Sequence, residues 1–359
     1  MRITIVGGGN IGTQFAVHCA EAGHEVVVYT SSPNLFVKRL SIVDQDGNTT
    51  HTGVIGSATY DPVEAFRDSE LIFITLPANM MRNIAEVILE HASANAMIGV
   101  VPGSGGSECA FAECIKRGNI FFGIERVPAI ARLVKKGETV RSVGYRNELH
   151  IAALPALYTD RCCKVVENIF RISCKAIPEY LNLTMTPSNP ILHTTRLRSM
   201  FGDYKKDVIY DSVPLFYEDW DDSSSELLLA CDEEVQKICG KLVSHDLRYV
   251  ISLKEHYESH SIPEMTSKIS SIPAFRGIMT PMIRSDGGYI PDFSSRYFVS
   301  DFSYGLVILK QIADFASASV PHIAEILDWY RSIASEKDEF RYSDYGIGSF
   351  DDFEEFYLR

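Results

Sequence analysis

The chain contains no apolar run that approaches the ~18 residues of a membrane-spanning helix, so no membrane span is expected. It has no C-x-x-C pair. Its eight cysteines stand at Cys19, Cys109, Cys114, Cys162, Cys163, Cys174, Cys231 and Cys239, two of them adjacent. That usage fits neither a disulfide framework nor a zinc knuckle and points to a reduced, cytoplasmic protein. The N-x-T matches at Asn48 and Asn182 then carry no glycan. Positive charge is in short supply: 34 Lys and Arg against 47 Asp and Glu give a net charge of −13. A chain this acidic is a poor general binder of nucleic acid or anionic membrane, although a few local donors suffice for a small anion. Repeats and low-complexity tracts are absent. The opening Met-Arg-Ile-Thr-Ile-Val runs straight into glycines, as a strand and turn would, and lacks the form of a signal peptide.

What remains is an ordinary globular composition. The chain has 359 residues, 46% apolar, 11% aromatic and 23% charged. At roughly 150 residues per domain this predicts two domains, each with its own core.

Residues 2–6 read as a buried strand leading into Gly7-x-Gly9-x-x-Gly12. The first glycine allows a tight turn, the second lets backbone approach a pyrophosphate, and the third lets a helix sit close to the strand. Ile11, Phe15 and Cys19 then fall on one helical face, Gly23 stops the helix, and His24–Tyr29 forms a second strand. Strand, glycine loop, helix and strand make the βαβ unit of dinucleotide binding. Gly7, Gly9, Asn10, Ile11 and Gly12 are therefore candidate cofactor residues, with phosphate on the helix N-terminus. A carboxylate at the end of the second strand would hold the ribose hydroxyls of NAD; here stand Thr30, Ser31 and Ser32, with Lys38 and Arg39 nearby. Thr30, Ser31 and Arg39 thus favour NADP(H), with NAD(H) as the alternative.

Leu40–Val43 and Thr52–Ile55 flank Asp46-Gly47 as a hairpin. Leu71–Leu76 and Ile98–Val101 read as strands buried on both faces. Leu76, Pro77 and the glycine-rich loop with Ser104 follow them, where open α/β sheets bind ligands. Past ~180 the pattern becomes helical, over Ser225–Leu242, Leu247–His260 and Ser303–Ala318. Pro178, Pro187 and Pro190 mark the entry. The expected fold is a Rossmann-type doubly wound parallel sheet over 1–180, followed by an all-α substrate domain over 181–359.

The residues also carry a family likeness. Val127-Pro128-Ala129-Ile130-Ala131-Arg132, Asn189-Pro190-Ile191-Leu192-His193 and the segment from Arg296 through Asp301 to Gly305-Leu306-Val307 resemble the opine (octopine/nopaline) dehydrogenase family. The resemblance extends over nearly the whole chain. It implies reductive condensation of an α-keto acid with the amine of an amino acid. It also implies a catalytic His193–Asp301 pair and Arg296 at the substrate. Ser104 stands where the family often has Gln, and Ser300 where it commonly has Glu.

The chemistry suits those residue types. His titrates near neutrality, a carboxylate fixes its tautomer, and Arg offers a fork of donors to a carboxylate. Asn189, one helical turn before His193, could orient substrate. Alone, Asp301 reads as a helix N-cap, and Arg132 as either a substrate contact or an ion-pair partner of Glu125. His256 and His260 have metal-ligand spacing but lie among polar residues, and no metal is expected. The rival readings are a ketopantoate-like reductase, whose lysine has no convincing counterpart here, and a catalytically silent NADP(H) sensor. A helical C-terminal domain often supplies a dimer face, so a homodimer is a further expectation.

Overall fold

The computed structural model describes residues 1–186, 188–206, 208–334 and 338–358. The chain divides into two compact units: Met1–Thr184 with Glu355–Arg359, and Met185–Glu354. The helical domain therefore begins at Met185 rather than 181, and the last five residues return to the first unit. Pro187 lies outside the described residues.

The first unit holds twelve strands: β1 (Arg2–Val6), β2 (Glu25–Tyr29), β3 (Arg39–Val43), β4 (Thr49–Val54), β5 (Ser57–Thr59), β6 (Leu71–Ile74), β7 (Met97–Val100), β8 (Phe121–Ile124), β9 (Ile130–Lys135), β10 (Thr139–Val143), β11 (Glu148–Leu154) and β12 (Ser173–Ala176). Eight of them form one sheet in the order β12-β11-β8-β7-β6-β1-β2-β5. Only the β8–β11 pairing is antiparallel in it. From β5 to β8 the order is that of the Rossmann sheet, and it reverses between β1 and β6. β6, β7 and β8 are buried at every residue, because helices cover a parallel sheet on both faces. The remaining strands form a second sheet, β4-β3-β10-β9. The expected hairpin is its β3–β4 pair, with β4 starting three residues earlier than the sequence suggests.

Helix α1 (Asn10–Glu21) packs Phe15, Ala16 and Cys19 into the core. Glu108, which has no exposed surface, accepts hydrogen bonds at 2.5 Å from the hydroxyls of Thr184 and Tyr357. The tail is thereby tied into this unit, and burial raises the Glu108 carboxyl above its usual range.

The second unit is helical as expected, with helices Ser188–Phe201, Asp222–Lys241, Ile262–Ser271, Val307–Phe315 and Pro321–Ile333. It adds one hairpin, β13 (Met282–Ser285) with β14 (Gly288–Pro291). The helix expected over Leu247–His260 is only Leu253–His256, capped by Ser252. Glu258 then turns left-handed at φ 51°, and a new helix starts at Ile262, capped by Ser261. His256 and His260 therefore do not share a helical face.

His18 on α1 is 3% exposed. Burial, reinforced by nearby His51, pulls its pKa down to about 4 from the ordinary 6.5. The unfolded chain takes up this proton first as pH falls. The stability contributed by neutral His18 is complete above about 6.5 and is lost as pH falls toward about 4. The gap corresponds to roughly 3 kcal/mol. Urea unfolding at pH 7 and pH 4 should show the wild type losing roughly 2–3 kcal/mol more than His18→Gln; equal losses would exclude His18 as the source.

Candidate active site

Two regions carry the candidate chemistry, and each belongs to its own unit.

In the second unit, His193 sits one turn into the helix Ser188–Phe201 and is 2% exposed. Both of its ring nitrogens are occupied. Nδ1 is 2.7 Å from Oδ2 of Asp301, and Nε2 is 2.7 Å from the Tyr217 hydroxyl. Burial pushes the Tyr217 phenol far above its ordinary pKa, so Tyr217 keeps its proton and donates it to Nε2. Nδ1 then carries the hydrogen and donates to the carboxylate. The partners thus hold the ring in one orientation, with Nδ1 toward the carboxylate and Nε2 toward the phenol.

Local sequence explains this meeting. Gly305 faces Pro190, three residues before His193; a Cβ on Gly305 would stand 2.9 Å from Pro190 Cβ. The missing side chain lets the two segments close together. Asp301 precedes a π-helical turn, Phe302–Leu306, with Tyr304 off helical geometry at φ −123°; such turns recur at functional sites. Asp301 stands at the N-cap of that turn as its sequence suggests, but its side chain makes no capping hydrogen bond and its carboxylate goes to His193 instead. Arg196, one turn beyond His193, is buried and donates from Nε to the Phe216 carbonyl at 3.1 Å and from Nη1 to Ser224 Oγ at 2.9 Å. It pins the loop that presents Tyr217. Tyr297 and Phe216 pack their rings 4.4 and 5.8 Å from the imidazole, and Phe275 stacks on Tyr217 at 4.0 Å. The imidazole therefore works in an aromatic, water-poor frame.

Arg296 is exposed, its guanidinium 5.4 Å from the Tyr297 ring. It is on the surface next to the aromatic frame and forms no ion pair with another described residue. Asn189 is exposed in the first turn of the same helix as His193.

In the first unit, Gly7 has φ 105°, and a Cβ on Gly12 would stand 1.8 Å from the Gly7 carbonyl oxygen. Only glycine permits that approach of α1 to the loop. No side chain caps α1 and no acidic residue occupies its first turn, which leaves its N-terminus suited to an anion. The loop therefore fits the pyrophosphate of a dinucleotide. Asn10 spends its side-chain oxygen on the Leu133 N–H at 2.7 Å, and Ile11 packs on the core; their contribution to the loop is backbone. Thr30 is buried and accepts from the Ser32 N–H at 3.3 Å, while Ser31 and Arg39 are exposed. Leu76 lies against Gly7, Pro77 is exposed, and Ser104 is half-buried after β7.

Arg132 is exposed on β9 and donates to the Ala131 carbonyl at 3.0 Å. Its expected partner Glu125 is held by Arg126 and His150, so the ion-pair reading of Arg132 is corrected. Sequence reasoning missed Tyr217 and Lys136. Lys136 Nζ lies 3.3 Å from Ser32 Oγ, at the end of β2.

Comparison with known proteins places both units. Residues 176–334 match the alpha-helical domain of NAD/NADP octopine/nopaline dehydrogenase, and residues 2–103 match the N-terminus of NAD-dependent glycerol-3-phosphate dehydrogenase. The octopine dehydrogenase of Mizuhopecten yessoensis is 21% identical over 92% of this chain and 89% of its own. An uncharacterized protein of Sinorhizobium fredii is 27% identical over 92% and 94%. A solved octopine dehydrogenase with NADH and L-arginine superposes with TM-score 0.85 at 19% identity, covering 98% of this chain and 97% of that one. The fold is shared with it throughout.

Removing the Tyr217 hydroxyl leaves Nε2 of His193 buried without a donor. Tyr217→Phe should therefore cost about 1–3 kcal/mol in urea unfolding, with the far-UV spectrum unchanged. An unaffected midpoint would show that water replaces the phenol at no cost.

Proposed function

We propose, from the chain's kinship with the opine dehydrogenases, that it condenses an α-keto acid with the amine of an amino acid and reduces the resulting imine. The observation that carries this reading is His193 held between Asp301 and Tyr217 in a dry aromatic frame. Pyridine-nucleotide dependence is common to the kin; the substrates and the preference between coenzymes are our reading.

The condensation needs a proton in a defined place. When an amine adds to a keto carbon, the carbinolamine oxygen must leave as water, and it leaves only after taking a proton. His193 Nε2 takes the proton that the amine sheds as it adds to the keto carbon and returns it to the carbinolamine oxygen, either directly once Tyr217 swings aside or through the Tyr217 hydroxyl. Asp301 stabilises the imidazolium and holds the ring in one orientation, as a carboxylate does in hydrolase triads. In the opposite direction the same imidazole accepts the proton. Arg296 binds a substrate carboxylate by its fork of donors, and Asn189 is a secondary polar contact; Ser104 is a polar candidate of the first unit. Gly7, Gly9, Gly12 and the α1 N-terminus would hold a nicotinamide coenzyme, which would supply the hydride for imine reduction.

The purified protein is mixed with NADPH or NADH and α-keto acids, with and without a panel of amino acids, and absorbance is followed. Oxidation only when both organic substrates are present is the expected result, and His193→Ala should lower turnover by about 100-fold or more while coenzyme affinity stays. Oxidation with the keto acid alone would instead identify a simple keto-acid reductase.

NADP(H) is the favoured coenzyme. No carboxylate ends β2, and Lys136 reaches Ser32 there. A 2′-phosphate beside Thr30, Ser31 and Lys136 would gain hydroxyl donors and a cation. Fluorescence titration should give a lower Kd for NADPH than for NADH, and Lys136→Glu should weaken NADPH about tenfold or more with little change for NADH. The opposite ranking would assign the site to NAD(H).

A further inference from the structure

Away from both candidate regions, three side chains with metal-ligand atoms converge on one face of the first unit. His18 and Glu21 are three residues apart on α1 and so share a side of the helix. His51 comes from β4, which lies against α1 because Gly53 has no side chain; a Cβ there would stand 2.7 Å from the Val17 carbonyl oxygen. One ligand atom from each of the three lies within 4.8 Å of the others. His51 Nδ1 is 2.7 Å from Glu21 Oε2, and the two imidazole rings are 4.8 Å apart. The Tyr145 hydroxyl stands 3.0 Å from His18 Nε2.

We propose that His18, Glu21 and His51 form a site for a divalent transition-metal ion of the zinc class, with solvent completing the coordination. Two imidazoles and a carboxylate are a donor set for zinc and its neighbours and not for calcium or magnesium, which take oxygen ligands. Zinc ligands at ~2.0–2.1 Å from the metal sit roughly 3.3 Å apart, so with every pair within 4.8 Å the widest gap closes by about 1.5 Å at most. Glu21 and His51 can supply that movement: their side chains are 42% and 34% exposed, while His18 is fixed by burial. Tyr145 is placed to bond to the ligand set from outside or to yield its place to the ion. A bound ion would fasten the β3–β4 hairpin to the helix whose N-terminus begins the glycine loop.

The full-length protein, stripped by chelator, is titrated with Zn2+ at pH 7.5 by calorimetry and in parallel with Co2+ by visible absorption. We expect about one equivalent bound with a Kd of about 1 μM or tighter, a raised Tm, and cobalt bands of nitrogen-containing coordination. Glu21→Ala and His51→Ala change one exposed and one half-buried residue and should leave the far-UV spectrum intact while weakening the ion at least about tenfold. Failure to bind more tightly than about 100 μM would overturn the proposal. So would binding undiminished in both variants, which would assign the ion to other groups such as the cysteines.

Discussion

A buried imidazole must find a partner for each ring nitrogen, and in this protein the answer to that demand organises the second unit. Asp301 and Tyr217 supply the two partners of His193 from segments 108 and 24 residues away. Bringing them in requires a helix that can be approached closely at Pro190, a π turn that aims a carboxylate inward, and a buried arginine that holds the Tyr217 loop by its backbone. Each of these would be a flaw in an idealised bundle. Together they hold the imidazole in one orientation, in a place where water competes poorly for its nitrogens.

The first unit solves a different problem with less. It presents backbone where the second unit presents side chains. The glycines bring α1 against the loop, and the helix is left without a capping side chain or acidic first turn. The result is an anion site made almost wholly of geometry. A site of this kind asks for no basic side chains, so a net charge of −13 does not count against it.

The two solutions differ in how they are written in sequence. Gly7, Gly9 and Gly12 with their flanking strands form a local pattern, so both the loop and the parallel sheet are legible from a window of about 30 residues. His193 and Asp301 were legible only through family likeness, because nothing in spacing joins residues 108 positions apart. Tyr217 lies in an irregular loop with no periodicity, and Lys136 reaches Ser32 across 104 residues; neither leaves a local trace. The broken helix at Leu247–His260 is the reverse case. Its apolar spacing ran on, while Ser252 and Ser261, the residues that start the two separate helices, were in plain view as caps. Asp301 shows that even a sound propensity argument loses to a tertiary partner: the residue stands where a cap would, and a buried imidazole claims its carboxylate.

The return of Glu355–Arg359 to the first unit makes the helical unit an insertion rather than an appendage. The chain crosses the boundary twice, and Tyr357 closes the second crossing on the buried carboxylate of Glu108. A fragment ending at Thr184 would therefore keep every strand of the large sheet yet leave Glu108 short of one of its two hydroxyl donors. For dissection, grafting or shuffling of this architecture, the natural unit of exchange is the stretch between two cut points, with the tail kept on the nucleotide side.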